Sequence, residues 1–226
     1  MRLIGSADAE LLRIVGLSLR VSVTACLIGG MAGVLLGTWL ASTRAVLRPV
    51  AVWAFNTLLA LPSVVVGLIV YLLLSRSGPL GSLGILFTPT AMIIAQSLLV
   101  IPLFTALSRR LILDALNEGG DQLRSLGAGR LQSALLMMVH ERFGMLTILL
   151  TAFGRAVSEV GAVMVVGGNI EGFTRVMTTA IALETSKGDL PLALALGIVL
   201  LGVVGCVNLL LSAMQGRTGV AREAFA

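Results

Sequence analysis

Residues 21–43 read VSVTACLIGGMAGVLLGTWLAST and contain no charged side chain. A helix needs about 20 apolar residues to cross the hydrocarbon core of a bilayer. This run is long enough to do so, and it extends back to about residue 12 if Arg20 is tolerated. Gly29, Gly33 and Gly37 recur every four residues, a pattern that lets helices pack closely. The alternative is that this glycine face lines a substrate path.

Further apolar runs follow along the chain. Pro62 and Pro102 lie inside the second and third runs and predict bends there. A turn rich in Gly, Pro and Ser opens the third run, so we expect its helix to begin near Thr88. The sequence thus predicts an all-α polytopic membrane protein with about five transmembrane helices in a single domain, residues 1–226. The predicted spans are about 12–42, 50–75, 86–108, 143–168 and 190–215.

The composition supports a membrane protein. Of the 226 residues, 57% are hydrophobic and 12% are charged, whereas a soluble domain carries about 25% charged residues. A soluble enzyme, a disordered region and a fibrous repeat are therefore excluded. The net charge is +5, but the basic residues are scattered among apolar runs, so we expect no nucleic-acid partner. Cys26, Cys206 and the single His140 predict neither a disulfide nor a metal site.

The basic residues also predict an orientation, because cytoplasmic loops are enriched in Lys and Arg. Arg20 and Arg155 fall within predicted spans, and the remaining basic residues divide unequally between the two sides. We therefore expect the amino terminus outside and the carboxyl terminus in the cytoplasm. The predicted inner set is Arg44, Arg48, Arg109, Arg110, Arg124, Arg130, Arg142, Arg217 and Arg222, and the outer set is Arg2, Arg13, Arg76, Arg175 and Lys187.

The longest inner segment is residues 109–142, RRLILDALNEGGDQLRSLGAGRLQSALLMMVHER. Its leucines recur near helical spacing and predict two short amphipathic helices separated at Gly119-Gly120. The second helix would carry Asp121, Arg124 and Arg130 on its polar side. Such a helix either rests on lipid headgroups or docks into a groove of a soluble partner. Periodicity alone does not separate these alternatives.

This segment resembles the cytoplasmic coupling loop of ABC importer permeases. The family's loop has Glu-Ala-Ala, then Gly four residues after the second Ala, then an apolar stretch ending in Leu-Pro. Here Asp121-Gln122-Leu123 occupies the triplet, Gly127 is the glycine, and Val139-His140 stands in place of Leu-Pro. The residues that the resemblance implies in coupling to an ATPase are Glu118, Asp121, Arg124, Leu126, Gly127 and Arg130.

Residues 153–169, FGRAVSEVGAVMVVGGN, carry a more specific resemblance. Molybdate-type and related oxyanion permeases have a similar Arg-Ala-x-x-Glu-x-Gly-Ala run followed by Gly-Asn at the outer end of the helix. The continuation NIEGFTRVMTTAIALETSKGD, residues 169–189, most resembles tungstate permeases. The matching positions are Arg155, Ala156, Glu159, Gly161, Ala162, Gly168 and Asn169.

Arg155 and Glu159 are two charges within one predicted span. Each costs about 2.5–3.5 kcal/mol at the bilayer centre, and their spacing of four places them on one helix face, where they can pair. The pair either locks this helix against a neighbour or contributes to an anion path. With Ser158 and Gly161, they are candidates for the pathway or gate.

The outer loop, residues 167–189, supplies further pathway candidates. Asn169, Thr174 and Thr178 offer neutral hydrogen-bond donors and Arg175 a cation, which suit a tetrahedral oxyanion. The alternatives are a solvated loop without contacts and a docking site for an outer binding protein.

The sequence contains no GxxxxGK[ST] motif and no arrangement typical of catalysis, so the chain should bind neither ATP nor another cofactor. The resemblance implies a non-enzymatic permease of the type I ABC importer kind, moving an oxyanion, with tungstate favoured. It implies a homodimer in the inner membrane of a prokaryote, two cytoplasmic ATPase subunits that use ATP and Mg, and an extracytoplasmic binding protein. The alternatives are an importer for molybdate, sulfate or another small solute, and a non-transport scaffold that recruits a cytoplasmic partner.

Overall fold

The computed structural model describes the backbone of residues 9–223 and the side chains of residues 10–209. Within these residues the chain is helical and has no strand, which confirms the predicted all-α class. The helices are α1 Ala9–Ser42, α2 Arg48–Leu58, α3 Ser63–Leu74, α4 Pro89–Ser125, α5 Arg130–His140, α6 Arg142–Val157, α7 Gly161–Gly167, α8 Met177–Lys187 and α9 Leu190–Glu223.

Three of the described helices are long and apolar enough to cross a membrane, namely α1, α4 and α9. Two helix pairs pass the same test only when each pair is taken together. The axes of α2 and α3 differ by 101°, and those of α5 and α6 by 74°. The described chain therefore offers three to five spans, and the predicted number of about five is the upper end of this range.

The second predicted span is bent, because Pro62 precedes α3 with an extended backbone (φ −60°, ψ 129°). Proline has no N–H and disfavours helix in the residue before it, so α2 cannot continue into α3. The bend predicted at Pro62 is therefore confirmed. Pro102, by contrast, lies inside α4, which continues past it.

The expected start of α4 is confirmed, because Thr88 is its N-cap and its hydroxyl accepts a hydrogen bond from the Ala91 N–H.

The packing of α1 on α4 is the most extensive contact between the described helices. A Cβ at Gly33 would lie 2.8 Å from the Ile101 carbonyl oxygen, and one at Gly29 would lie 3.0 Å from that of Ser97. Both glycines are buried, as is Gly37. The prediction of close helix packing is therefore confirmed, and the glycine face has no surface exposed to a substrate.

The surfaces that point away from this contact are apolar. Large hydrophobic side chains on α1, α3 and α9 are about half exposed or more, a pattern that suits lipid or another subunit and would be costly in water. Examples are Leu27, Met31, Leu35, Leu68, Leu72, Leu194, Ile198 and Leu201.

We predict that Gly33→Ala destabilises the protein and that Gly16→Ala does not. Both glycines lie in α1, but a Cβ at Gly16 meets no atom within 4 Å, whereas one at Gly33 collides with Phe104 and the Ile101 carbonyl. Overpacking of this kind costs about 1–3 kcal/mol, while alanine is otherwise the better helix former. Thermal unfolding of the detergent-purified variants measures the difference. Equal midpoints would contradict the α1–α4 contact.

Candidate functional site

The fourth predicted span is interrupted between α6 and α7, at Ser158, Glu159 and Val160. A helix break frees backbone groups, which inside a bilayer need partners from the protein or from water in a cavity. Gln96 of α4 donates its side-chain N–H to the Ala156 carbonyl at 2.9 Å. Thr178 of α8 donates its hydroxyl to the Glu159 carbonyl at 2.8 Å. Neighbouring helices thus stabilise the break.

Glu159 joins the two halves of the break through its carboxylate. One oxygen accepts the Arg155 guanidinium at 2.8 Å, and the other accepts the Ala162 N–H in the first turn of α7 at 3.2 Å. The Glu159 side chain is 3% exposed, whereas that of Arg155 is 49% exposed. The sequence-based pairing of these residues is therefore present in the structure. The carboxylate is buried and fully bonded, while half of the cation faces outward.

Arg155 and Glu159 share a small cleft with Gln96 and Leu99. Within the described residues, the buried Oε1 atom of Gln96 has no hydrogen-bond partner. A guanidinium that is half exposed, beside an amide with an unused acceptor, is an unusually polar surface for the middle of an apolar bundle. This surface is the best candidate within the spans for contact with a polar solute.

The other two candidates at the break have structural contacts. Ser158 donates its hydroxyl back to the Gly154 carbonyl at 2.9 Å, a bond within its own helix turn. Gly161 begins α7 and lies against α3, where a Cβ would come within 2.6 Å of the Val64 side chain and 2.8 Å of the Ser63 hydroxyl. Gly161 thus permits the close packing of α3 on α7.

The predicted outer loop, residues 167–189, contains a helix and buried side chains, so it is not a solvated loop. Residues 177–187 form α8, so the prediction of a loop throughout 167–189 is wrong. Thr174 and Thr178 are buried. Thr174 donates its hydroxyl to the Gly167 carbonyl and accepts the Ile170 N–H, so its proton, like that of Thr178, is engaged by the backbone. Asn169 has a left-handed backbone (φ 50°) and a buried Oδ1 atom without a partner among the described residues.

Arg175 lies among carboxylates. Its guanidinium is within 3.4 Å of Glu171 and 3.7 Å of Glu10. It lines a cavity of about 340 Å³ between the start of α1, α8 and α9, where Glu184 and Lys187 are the other charged residues. Three carboxylates against two cations disfavour an anion at this position, because like charges repel. The geometry therefore gives Arg175 a structural role in this conformation.

The first turn within the predicted coupling segment, residues 109–142, lies later than expected. The helix α4 continues through Gly119-Gly120 to Ser125, so the predicted break at these glycines is wrong. The chain reverses at residues 126–129 instead. Gly127 has φ +87°, its N–H donates to the Arg124 carbonyl, and the Ala128 N–H donates to the Leu123 carbonyl, both at 3.0 Å. This is a Schellman C-cap, whose left-handed position favours glycine.

The coupling candidates surround this turn and are exposed. Glu118, Asp121 and Arg124 lie on the last turns of α4, where Asp121 and Arg124 form an ion pair at 3.3 Å. Leu126 is 83% exposed at the tip of the turn. Arg130 is the first residue of α5 rather than a continuation of the helix that carries Asp121 and Arg124. An exposed leucine between charged side chains is suited to a protein contact.

Sequence reasoning missed Gln96, whose amide holds the end of α6 in place. The signal was present, since Gln96 is the one amide side chain in the charge-free run that leads to Arg109. A polar side chain within a span usually has a bonding partner or a functional role.

Comparison with known proteins gives the family. No family model matches the chain. The chain is 43% identical over 218 residues to the tungstate uptake system permease protein TupB of Peptoclostridium acidaminophilum, covering 95% of this chain and 94% of that protein. It is 43% identical over 176 residues to a probable anion ABC transporter permease of Haloferax volcanii, covering 76% of each. TupB of Campylobacter jejuni is 42% identical over 153 residues, covering 68% of this chain and 64% of that protein.

The described helices form an apolar bundle with a half-buried ion pair at a broken span and an exposed turn. The chain belongs to the ABC transporter permease family that includes the tungstate uptake permeases. The resemblance that Arg155, Glu159 and the following residues indicated is therefore confirmed.

We predict that removing the two partners of the ion pair has unequal effects on stability. Arg155→Gln leaves a carboxylate that is 3% exposed without its cation, which costs about 3–5 kcal/mol. Glu159→Gln leaves a half-exposed guanidinium and keeps an oxygen for the Ala162 N–H, so we expect a loss of about 1 kcal/mol. Thermal unfolding of the purified variants measures both effects.

The double variant Arg155→Gln/Glu159→Gln is the control and should be close to Glu159→Gln alone. Equal losses for the two single variants would contradict the buried state of Glu159. In cells, Glu159→Gln should reduce uptake while insertion into the membrane stays normal. Normal uptake by this variant would exclude a gating role for the pair.

Proposed function

We propose that the chain is the membrane subunit of a tungstate importer. Two copies would form the transport unit, with the amino terminus outside and the carboxyl terminus in the cytoplasm of a prokaryotic cell. Two cytoplasmic ATPase subunits would bind ATP and Mg and hydrolyse the nucleotide, while an extracytoplasmic protein delivers the anion. The observation that carries the proposal is the 43% identity to a tungstate uptake permease over 95% of the chain.

The turn at residues 126–129 supports contact with an ATPase. It lies at the end of α4, carries the exposed Leu126, and is held by backbone hydrogen bonds at Gly127 and Ala128. Docking into a groove of the ATPase requires a preformed shape with an apolar anchor and a polar rim. This favours the docking alternative over a helix that only rests on lipid.

The exposed apolar faces of α1, α3 and α9 suit contact with lipid or with a second copy of the chain. In the proposed dimer, the anion path follows the interface between the two copies. Arg155 would contribute positive potential to this path from each copy, and Glu159 would restrain its guanidinium. Transport then proceeds by a change between outward- and inward-facing states, which differ in their affinity for the anion.

The decisive experiment is reconstitution of the permease with its ATPase and binding protein in liposomes. We expect the loaded binding protein to stimulate ATP hydrolysis with tungstate, and to a lesser degree or not at all with molybdate or sulfate. Equal or greater stimulation by sulfate would contradict the proposed cargo. If no ATPase copurifies with the chain, the transport function itself is contradicted and a scaffold is favoured.

We predict that Gly127→Val uncouples ATP hydrolysis from transport, whereas Gly129→Val does not. The left-handed backbone at Gly127 (φ +87°) costs a side-chain-bearing residue about 1–2 kcal/mol, so the turn should deform even though a Cβ there meets no atom within 4 Å. Gly129 lies two residues away with an ordinary φ of −67°. Tungstate-stimulated ATPase activity of the reconstituted complex measures the difference. Unchanged stimulation in Gly127→Val would contradict the docking role of the turn.

A further inference from the structure

A second polar site lies at the end of the bundle where α1 approaches the second half of α4. A cavity of about 140 Å³ opens between the α1–α2 linker, α4 and the start of α5. Four arginines line it, and none of the lining residues is a carboxylate. They are Arg44, Arg48, Arg124 and Arg130. We call this cavity the arginine cleft.

The arginines of this cleft are poorly neutralised. Among the described side chains, Arg124 has an ion-pair partner, Asp121, and the pair is largely exposed. Arg44, Arg48 and Arg130 have no ion pair within the same part of the chain. Desolvation, and then the nearby charges of Arg44 and Arg124, lower the pKa of the Arg130 guanidinium. Four like charges around one cavity repel one another, and a bound anion would relieve this repulsion.

The cleft also contains neutral donors. Asn117 and Thr43 line it beside the guanidinium groups. Planar guanidinium groups bind phosphate oxygens with paired hydrogen bonds. The chemistry of the lining therefore fits a phosphate group.

The surroundings of the cleft point to a lipid as the source of that phosphate. The linker and the start of α2 present apolar side chains to the outside, with Val46 93% exposed, Leu47 72% and Val50 60%. Trp53, on the same helix, is 69% exposed, and tryptophan is enriched at membrane interfaces. Apolar side chains next to arginines are typical of segments that lie at the level of the headgroups.

The depth of the cleft agrees with this position. The first cleft residue on α4 is Leu113, about 7 Å of helix rise beyond the predicted end of the span at residue 108. The headgroup layer on each side of a bilayer is about 5–8 Å thick. The end of the cleft at Leu113 therefore lies at the level of the lipid phosphates, whereas Arg124 and Arg130 lie farther along the chain, beside the turn at residues 126–129.

We propose that the arginine cleft binds the phosphate group of an anionic lipid in the leaflet next to the turn at residues 126–129, which we call the coupling turn. The inference rests on the proposed placement of the chain in the bilayer but not on its cargo. A lipid held there would connect the α1–α2 linker to the ends of α4 and α5 that flank the coupling turn.

The experiment is a lipid titration of the purified permease alone, in detergent, with bound lipid counted by native mass spectrometry. Phosphatidylglycerol should bind more tightly than phosphatidylcholine. Arg44→Gln and Arg48→Gln should each weaken phosphatidylglycerol binding about fivefold. Neither residue belongs to the predicted coupling set, and neither has an ion pair to lose among the described side chains.

The matched control is Arg110→Gln, which removes the same charge from an exposed position of α4 outside the cleft. We expect its lipid binding to be unchanged. Equal weakening by Arg110→Gln, or equal binding of the two lipids, would overturn the proposal. A third outcome is that no bound phosphatidylglycerol is detected while inorganic phosphate alone protects the permease against unfolding. This would overturn the lipid assignment in favour of a free anion. Loss of ATPase copurification in Arg44→Gln without any change in lipid binding would assign the cleft to a protein contact.

Discussion

In a bilayer every backbone N–H and carbonyl needs a partner from the protein or from water in a cavity, and this constraint determines how the centre of the bundle is built. The break between α6 and α7 interrupts the helical hydrogen bonds, and side chains from three elements replace them. Gln96 comes from α4, Thr178 from α8, and Glu159 from the break itself. The positions of α4, α6, α7 and α8 are therefore mutually dependent at this one place.

The buried carboxylate of Glu159 is tolerated for the same reason. It has a cation on one oxygen and a backbone N–H on the other, so the energetic cost of its burial is offset by bonds to both oxygens. Arg155 is not constrained in the same way, because half of its side chain remains exposed. The pair thus combines a fixed anion with a cation that is accessible to a solute or to a second copy of the chain.

The sequence predicted the features that depend on local chemistry. Runs of apolar residues indicated the helical class, Thr88 the start of α4, and the spacing of Arg155 and Glu159 their pairing. The errors concern features that depend on tertiary contacts. Gly119-Gly120 suggested a break, but in the structure a Cβ at Gly119 would lie 2.8 Å from the Met137 side chain, so this glycine accommodates α5 while the helix continues. Thr174 and Thr178 are buried because their hydroxyls donate to the backbone carbonyls of Gly167 and Glu159, contacts that spacing alone does not reveal.

The continuity of α4 has a mechanical consequence. Its 37 residues form a rod about 55 Å long, whereas the hydrocarbon core is about 30 Å thick. One end carries the turn at Gly127, and the opposite half carries Gln96 at the membrane break. On a rod of this length, a rotation of a few degrees at one end would displace the other end by several ångströms. Pro102 removes one helical hydrogen bond along the rod, between the end at Gly127 and the half that carries Gln96.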